Sequence, residues 1–212
     1  MSDLRTALDE KKAEAEQLLE IIEHIKKQDL SITKTAILKS AFILLLYNMI
    51  ESTTFLVIER IHEKVSSEHY AQLGMHMRKV WVEFFFSNHT ADHHHQHLEE
   101  TLRESITFPL LSTFTKKIKL FSGNIDARKL EELMEKYGIG PLTSPGREKL
   151  LTIKTKRNSV AHGEEMFKEA CRDLSESDLS DLKDATFSAL DDLITKTDHH
   201  LNTKGYLSVA IE

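Results

Sequence analysis

The six residues Arg157-Asn158-Ser159-Val160-Ala161-His162 set a permanent cation, an amide and a titratable imidazole within about a turn and a half of helix-forming sequence. These groups suffice for metal-free cleavage of RNA: the imidazole takes the ribose 2′-hydroxyl proton while the guanidinium holds the phosphate on which negative charge accumulates. Arg157 is the only one of the 8 arginines followed directly by Asn, and the only one with a His five residues on. Arg and His at a helix end also have a structural use, capping the last carbonyls or pairing with nearby acids. Arg157, His162 and Asn158 are the candidate catalytic residues.

Positioning them is the work of a helix. On an ideal helix Asn158 and His162 share a face one turn apart, whereas Arg157 lies about 140° from His162. Either the long Arg side chain reaches round, or the last turn distorts, or a second copy of the chain supplies half of the site. The formal charge of −6 excludes a protein that coats nucleic acid over its whole surface. Residues 147–162, however, hold Arg147, Lys149, Lys154, Lys156 and Arg157 against Glu148 alone, and residues 164–198 hold 11 acidic and 4 basic residues. Arg147, Lys149, Lys154 and Lys156 are therefore the candidate RNA-binding cations. The acidic stretch is read as a solvated face, or else as a shield for the basic cleft or a dock for a neutralising or regulatory protein.

With 7 Gly, 3 Pro and almost no β-branched alternation the chain reads as all-α, and a 40% hydrophobic content over 212 residues can fill a core. A single helical domain over 1–212 is expected, with an N-terminal helix in 1–30, a bundle core over 33–200 and a tail at 201–212. Helices are expected at 2–28, 33–65, 67–87, 98–121, 126–137 and 146–162, and after Ser175, where Ser175-x-x-Asp178 has the form of a capping box. In the first, Leu4, Leu8, Leu18, Ile21, Ile22 and Ile25 form the packing side. The apolar run 41–50 marks 33–65 as the central buried helix; the stretch between Lys39 and Glu51 is too short to cross a bilayer, and no membrane partner is expected. Asn48 and Glu51 are the polar residues of that run and need partners if buried. They either hydrogen-bond across helices or hold the Arg157 guanidinium and shape the site, and they are the candidate supporting residues.

His89, His93, His94, His95 and His97 form a cluster in which i,i+4 pairs could chelate a divalent cation. Asp92 or Glu99 could supply a third ligand only through a geometry the sequence does not define, and polar residues surround the run, so a solvated or incidentally metal-binding segment is the simpler reading; no physiological metal or cofactor is expected. Cys171 is the only cysteine, which excludes an intrachain disulfide, and its neighbours offer no base to make it a nucleophile. Of the two turn-rich connectors, 122–124 and 138–146, the second is the better placed by composition to border an active site. The Trp81 and Phe84-Phe85-Phe86 stripe reads as core or subunit-interface filling, and the segment 205–211 as a short docking strand. The Met-Ser-Asp start lacks a basic and then apolar leader, so a cytoplasmic location is expected.

Lys156-Arg157-Asn158-Ser159-Val160-Ala161-His162-Gly163-Glu164, with Leu46-Tyr47-Asn48-Met49-Ile50-Glu51 upstream and Ser175-Glu176-Ser177-Asp178-Leu179 downstream, resembles the HEPN superfamily (higher eukaryotes and prokaryotes nucleotide-binding), in its MAE-like bacterial branch. These blocks span about 46 to 195; the N-terminal helix and the histidine cluster lie outside them. The resemblance implies an antiparallel helical bundle that dimerises, so that the Arg-x4-His segments of two subunits face each other across a cleft. It implies a metal-independent endoribonuclease, used as a toxin or an anti-phage defence effector. His162 would then be the acid/base, Arg157 the phosphate ligand, Asn158 the polar residue after it, and Asn48 and Glu51 supporting residues.

Three function classes follow: a dimeric HEPN endoribonuclease acting on RNA; a non-catalytic HEPN subunit that binds RNA, nucleotide or a partner protein; and a metal-dependent hydrolase built on the histidine cluster. Cleavage in EDTA separates the first from the third, and turnover separates it from the second.

Overall fold

The computed structural model describes residues 2–27, 32–87, 107–121 and 123–208. Among them are seven α-helices and no strand: α1 (Ser2–Lys27), α2 (Ile32–Val65), α3 (Met75–Phe86), α4 (Leu111–Phe114), α5 (Ala127–Lys136), α6 (Leu150–Ala161) and α7 (Glu176–Asn202). The all-α expectation holds. The histidine cluster 89–97 and the last residues of the tail lie outside the described residues. The chain divides into two compact units, one of Met1–Thr54, Gly123–Leu130 and Leu142–Ile194, the other of Phe55–Ser122, Glu131–Pro141 and Thr195–Glu212.

The first unit carries the residues singled out for chemistry. Its core joins Leu8, Ala15, Leu19 and Ile22 of α1 to Phe42, Ile43, Leu46, Tyr47 and Ile50 of α2, Leu150 and Ile153 of α6, and Leu179, Leu182, Leu190 and Leu193 of α7. The buried stripe of α1 is rotated from the expected one. Spacings of seven, four and three residues place Leu8, Ala15, Leu19 and Ile22 on one line, and Ile21, about 100° round from Ile22, is left 49% exposed. Lys11 donates to Ser52 Oγ (2.6 Å) and Lys12 to Asp191 (2.8 Å), so the flanks of α1 are tied to α2 and α7.

Helix α7 starts at the expected capping box: the Asp178 amide donates to Ser175 Oγ (3.1 Å) and the Ser175 amide to Asp178 Oδ2 (2.7 Å). Helix α6 ends in a Schellman turn. Gly163, at φ +70°, donates to Val160 O (3.2 Å) and the Glu164 amide to Ser159 O (3.0 Å), a conformation that a side chain at 163 would strain.

In the second unit Val57, Ile58, Ile61, Val65, Met77, Val80, Trp81, Phe84, Phe108, Phe114 and Tyr137 are buried. His62, fully buried, sits in their midst. Its Nδ1 donates to Pro109 O (2.7 Å), since a carbonyl only accepts, and its Nε2 therefore accepts from the Tyr137 hydroxyl (2.8 Å). The helix expected over 98–121 is absent from its described part. Pro109 has no N–H to continue a helix and disfavours it at Phe108, so only the single turn Leu111–Phe114 forms. The helix expected over 67–87 likewise starts only at Met75, after a 3-10 turn at Tyr70–Gln72. Leu207 of the tail pairs with Leu73 as an isolated bridge.

By length and composition α2 could cross a membrane; 56% of its most apolar window is buried inside the protein, as in a core helix.

Candidate functional site

Helices α2 and α6 and the loop 123–126 converge on Arg157. Its guanidinium carbon stands 4.4 Å from the centre of the Tyr47 ring, and Nη1 donates to Gly123 O (3.1 Å) and to Asn158 Oδ1 (2.9 Å). Because a guanidinium only donates, Asn158 must present its oxygen to Arg157 and its NH2 elsewhere. That NH2 donates to Asn124 Oδ1 (2.7 Å), which turns the NH2 of Asn124 outward. The two amides are thus oriented in series by the cation.

Each residue of the 123–126 loop is bound to this site. Gly123 supplies the carbonyl, at φ +70°, and a Cβ there would lie 3.5 Å from Arg157 Nη2 and 4.0 Å from Glu51 Oε1. Asn124 closes the amide relay. The Ile125 amide donates to the Tyr47 hydroxyl (3.2 Å), and burial pushes the pKa of that hydroxyl up and keeps it neutral. Asp126 caps α5 by accepting from the Lys129 amide (3.0 Å) and is hydrogen-bonded to Lys154. Burial works to raise the Asp126 carboxyl, but the Lys154 bond and charge and the Lys129 amide together hold it below the ordinary range.

His162 is exposed and takes up the C-cap position of α6, its amide donating to Asn158 O (2.9 Å). Its imidazole makes no hydrogen bond or ion pair with the described residues. Since α6 stays helical through Ala161, the final turn does not unwind to bring Arg157 round to His162. Asn158, one turn before His162 and bonded to Arg157, lies between them.

Glu51 is half-buried one turn from Tyr47, with Oε1 near the Gly123 position that also neighbours Arg157 Nη2, and it makes no ion pair to Arg157 within 4.0 Å. Asn48 is exposed, and its carbonyl receives Ser52 Oγ (2.6 Å). Three of the candidate RNA-binding cations are held by carboxylates: Lys149 by Asp181 (2.7 Å), Lys156 by Asp173 (2.8 Å), and Lys154 by Asp126. The Lys156 hydrogen bond draws the Asp173 carboxyl below its usual range, and that of Asp181 raises Lys149. Arg147 lies in the 3-10 turn Arg147–Lys149 ahead of α6.

The loop 138–146 is engaged differently from expectation. The amides of Thr143 and Ser144 donate to Asp192 Oδ2 (2.6 and 3.1 Å), which binds that end of the loop to α7, while the shorter connector builds the site. Cys171 is fully buried, and burial raises its thiol pKa, the reverse of what a nucleophile needs. Among the described residues no group of three or more His, Cys, Asp and Glu is arranged to hold a metal ion.

Residues 1–206 match the family described as HEPN_MAE_28990-like HEPN. The chain belongs to this HEPN family. The match begins at residue 1, so α1, which lies outside the motif blocks, is within the HEPN span as much as α6 is. No curated protein and no solved structure matches the chain. For this HEPN protein, sequence reasoning missed Tyr47, Gly123, Asn124, Ile125 and Asp126. The signal for Tyr47 was present: it is the aromatic residue of the apolar run and stands one turn before Glu51. The connector 122–124 offered only its turn composition.

Proposed function

We propose that this HEPN protein is a metal-independent endoribonuclease whose site is completed by a second copy of the chain. The observation that carries the reading is a division of roles at the end of α6: a guanidinium fixed by a ring, a carbonyl and an amide, beside an imidazole left free. His162 removes the proton from a ribose 2′-hydroxyl, O2′ attacks phosphorus, and the bond to O5′ breaks as that oxygen takes a proton from an imidazolium. The products are a 2′,3′-cyclic phosphate and a 5′-hydroxyl. Arg157, preorganised, meets the charge that builds on the phosphate oxygens. Because Arg157 and His162 of one chain diverge on α6, two chains facing each other would bring the imidazole of one toward the guanidinium of the other.

The test is digestion of single-stranded RNA in EDTA by wild type, His162→Ala and Arg157→Ala, with the ends identified by mass spectrometry. Cleavage is expected with wild type and should fall by about 100-fold or more in either variant, the usual cost of removing a general acid–base in His162→Ala and a preorganised charge donor in Arg157→Ala. A 2′-deoxy substitution at the scissile nucleotide should block it. A requirement for divalent metal, or undiminished cleavage by His162→Ala, overturns the proposal. RNA binding without turnover replaces it with the non-catalytic reading. Light scattering that finds a fully active monomer removes the shared site.

A further inference from the structure

We propose that Tyr47 is a positioning residue for the phosphate-holding guanidinium: its ring sets the plane of Arg157, and its hydroxyl anchors the loop whose carbonyl fixes the guanidinium's remaining freedom. The effect on RNA cleavage rests on the nuclease reading above; the hold on Arg157 does not.

Tyr47 is fully buried, so its ring is fixed by the core and cannot follow a moving cation. The guanidinium carbon lies 4.4 Å from the ring centre, a contact that attracts a cation to the negative face of the ring. At the far end of the same side chain the hydroxyl accepts from the Ile125 amide, two residues from the Gly123 carbonyl that receives Arg157 Nη1. One side chain therefore supports the cation directly from below and, through the loop, at one edge.

What remains follows from the guanidinium's own inventory. Nη1 is committed to Gly123 and Asn158, and the guanidinium carbon lies over the ring. The N–H groups on Nε and Nη2 have no partner among the described residues. They form the edge of the fork that meets two oxygens of one phosphate side by side. Tyr47 keeps that edge in one orientation. Without the ring, the side chain regains rotamers in which that edge no longer holds one orientation.

The experiment replaces Tyr47 by Phe and then by mono-, di- and trifluorophenylalanine, a near-isosteric series that keeps the core filled while draining charge from the ring face. All members lack the hydroxyl, so only the ring face varies. The kcat for RNA cleavage should fall stepwise, by about tenfold across the series, with melting temperature and KM nearly constant. A kcat that stays flat across the series overturns the proposal, because a ring that merely fills space is indifferent to fluorine. Independently of activity, the Arg157 side-chain NMR signals of the free protein should be shifted upfield by the ring in wild type and Tyr47→Phe, and should lose that shift in Tyr47→Leu. The same Arg157 shift in Tyr47→Leu as in wild type overturns it also. An inactive wild-type protein defeats the nuclease reading alone, and the Arg157 signals then decide whether Tyr47 holds the cation.

Discussion

Lowering the pH from about 7.5 to about 5 sets solvent protons against an imidazole that the fold keeps neutral. His62 is buried, and burial drives its pKa from 6.5 down to about 4; donation to Pro109 O opposes this and Lys136 adds to it. The sign follows from which state binds the proton more readily. The unfolded chain takes it up near pH 6.5 and the folded one only near 4, so the stabilisation is complete above 6.5 and drains away as pH falls toward 4. At 1.36 kcal/mol per pH unit the full effect is about 3 kcal/mol, of which about 2 kcal/mol is lost by pH 5. Urea unfolding at the two pH values, followed by circular dichroism, measures it. In His62→Gln, which retains a donor and an acceptor but does not titrate, absolute stability drops while the pH dependence in this window shrinks by about 2 kcal/mol. His200, which burial also lowers, contributes in the same direction. Wild-type and His62→Gln curves that run parallel from pH 7.5 to 5 would refute the assignment.

The loop around the site supplies the other predictions. Gly123→Ala forces a side chain into φ +70° and brings a methyl to 3.5 Å from Arg157 Nη2, so a thermal melt should show a loss of about 1–2 kcal/mol, with Gly123→Asn less affected. Lys154→Met strands the Asp126 carboxylate, whose side chain is 8% exposed; unfolding should register roughly 3 kcal/mol of destabilisation at neutral pH, shrinking as pH falls through the carboxylate range. If Lys154 served only as an RNA contact, the midpoint would not move. Asn124→Asp keeps the acceptor for Asn158 but replaces an outward NH2 by charge, so RNA affinity measured by fluorescence anisotropy should fall at least about tenfold with little change in melting temperature.

Local patterns in the chain were legible because they are set by neighbours in sequence. Ser175 and Asp178 cap α7 as their spacing requires, Gly163 ends α6, and the Arg-x4-His segment falls on a helix C-terminus with its imidazole exposed. Pro109 carried the signal of a helix breaker, but the helix expected over 98–121 ran through it; the helix there is the single turn of α4, and the Pro109 carbonyl, outside that turn, receives His62. The packing of His62 was not legible. One imidazole among 12 carries no mark of burial until Pro109, Tyr137, Phe108 and Phe114 are gathered round it from distant parts of the chain. The net charge of the cationic patch was only partly legible for a related reason: counting Lys149, Lys154 and Lys156 along the sequence omits Asp181, Asp126 and Asp173, which folding brings to them.

For the proposed nuclease, those three pairings change what Arg157 would have to do. A phosphate approaching α6 meets lysines whose charge is already matched by carboxylates, so long-range attraction from this segment is weaker than the sequence suggests. Affinity must come at short range, from a donor whose geometry is settled before the substrate arrives. Arg157 meets that condition: a ring, a carbonyl and an amide hold it, none of them a carboxylate within 4.0 Å, so its charge remains available while its position does not wander. A guanidinium locked by an ion pair would be equally rigid but would lose the charge that the transition state needs. Neutral partners give rigidity without that loss, and a tyrosine, a glycine and two asparagines would supply it in the proposed nuclease.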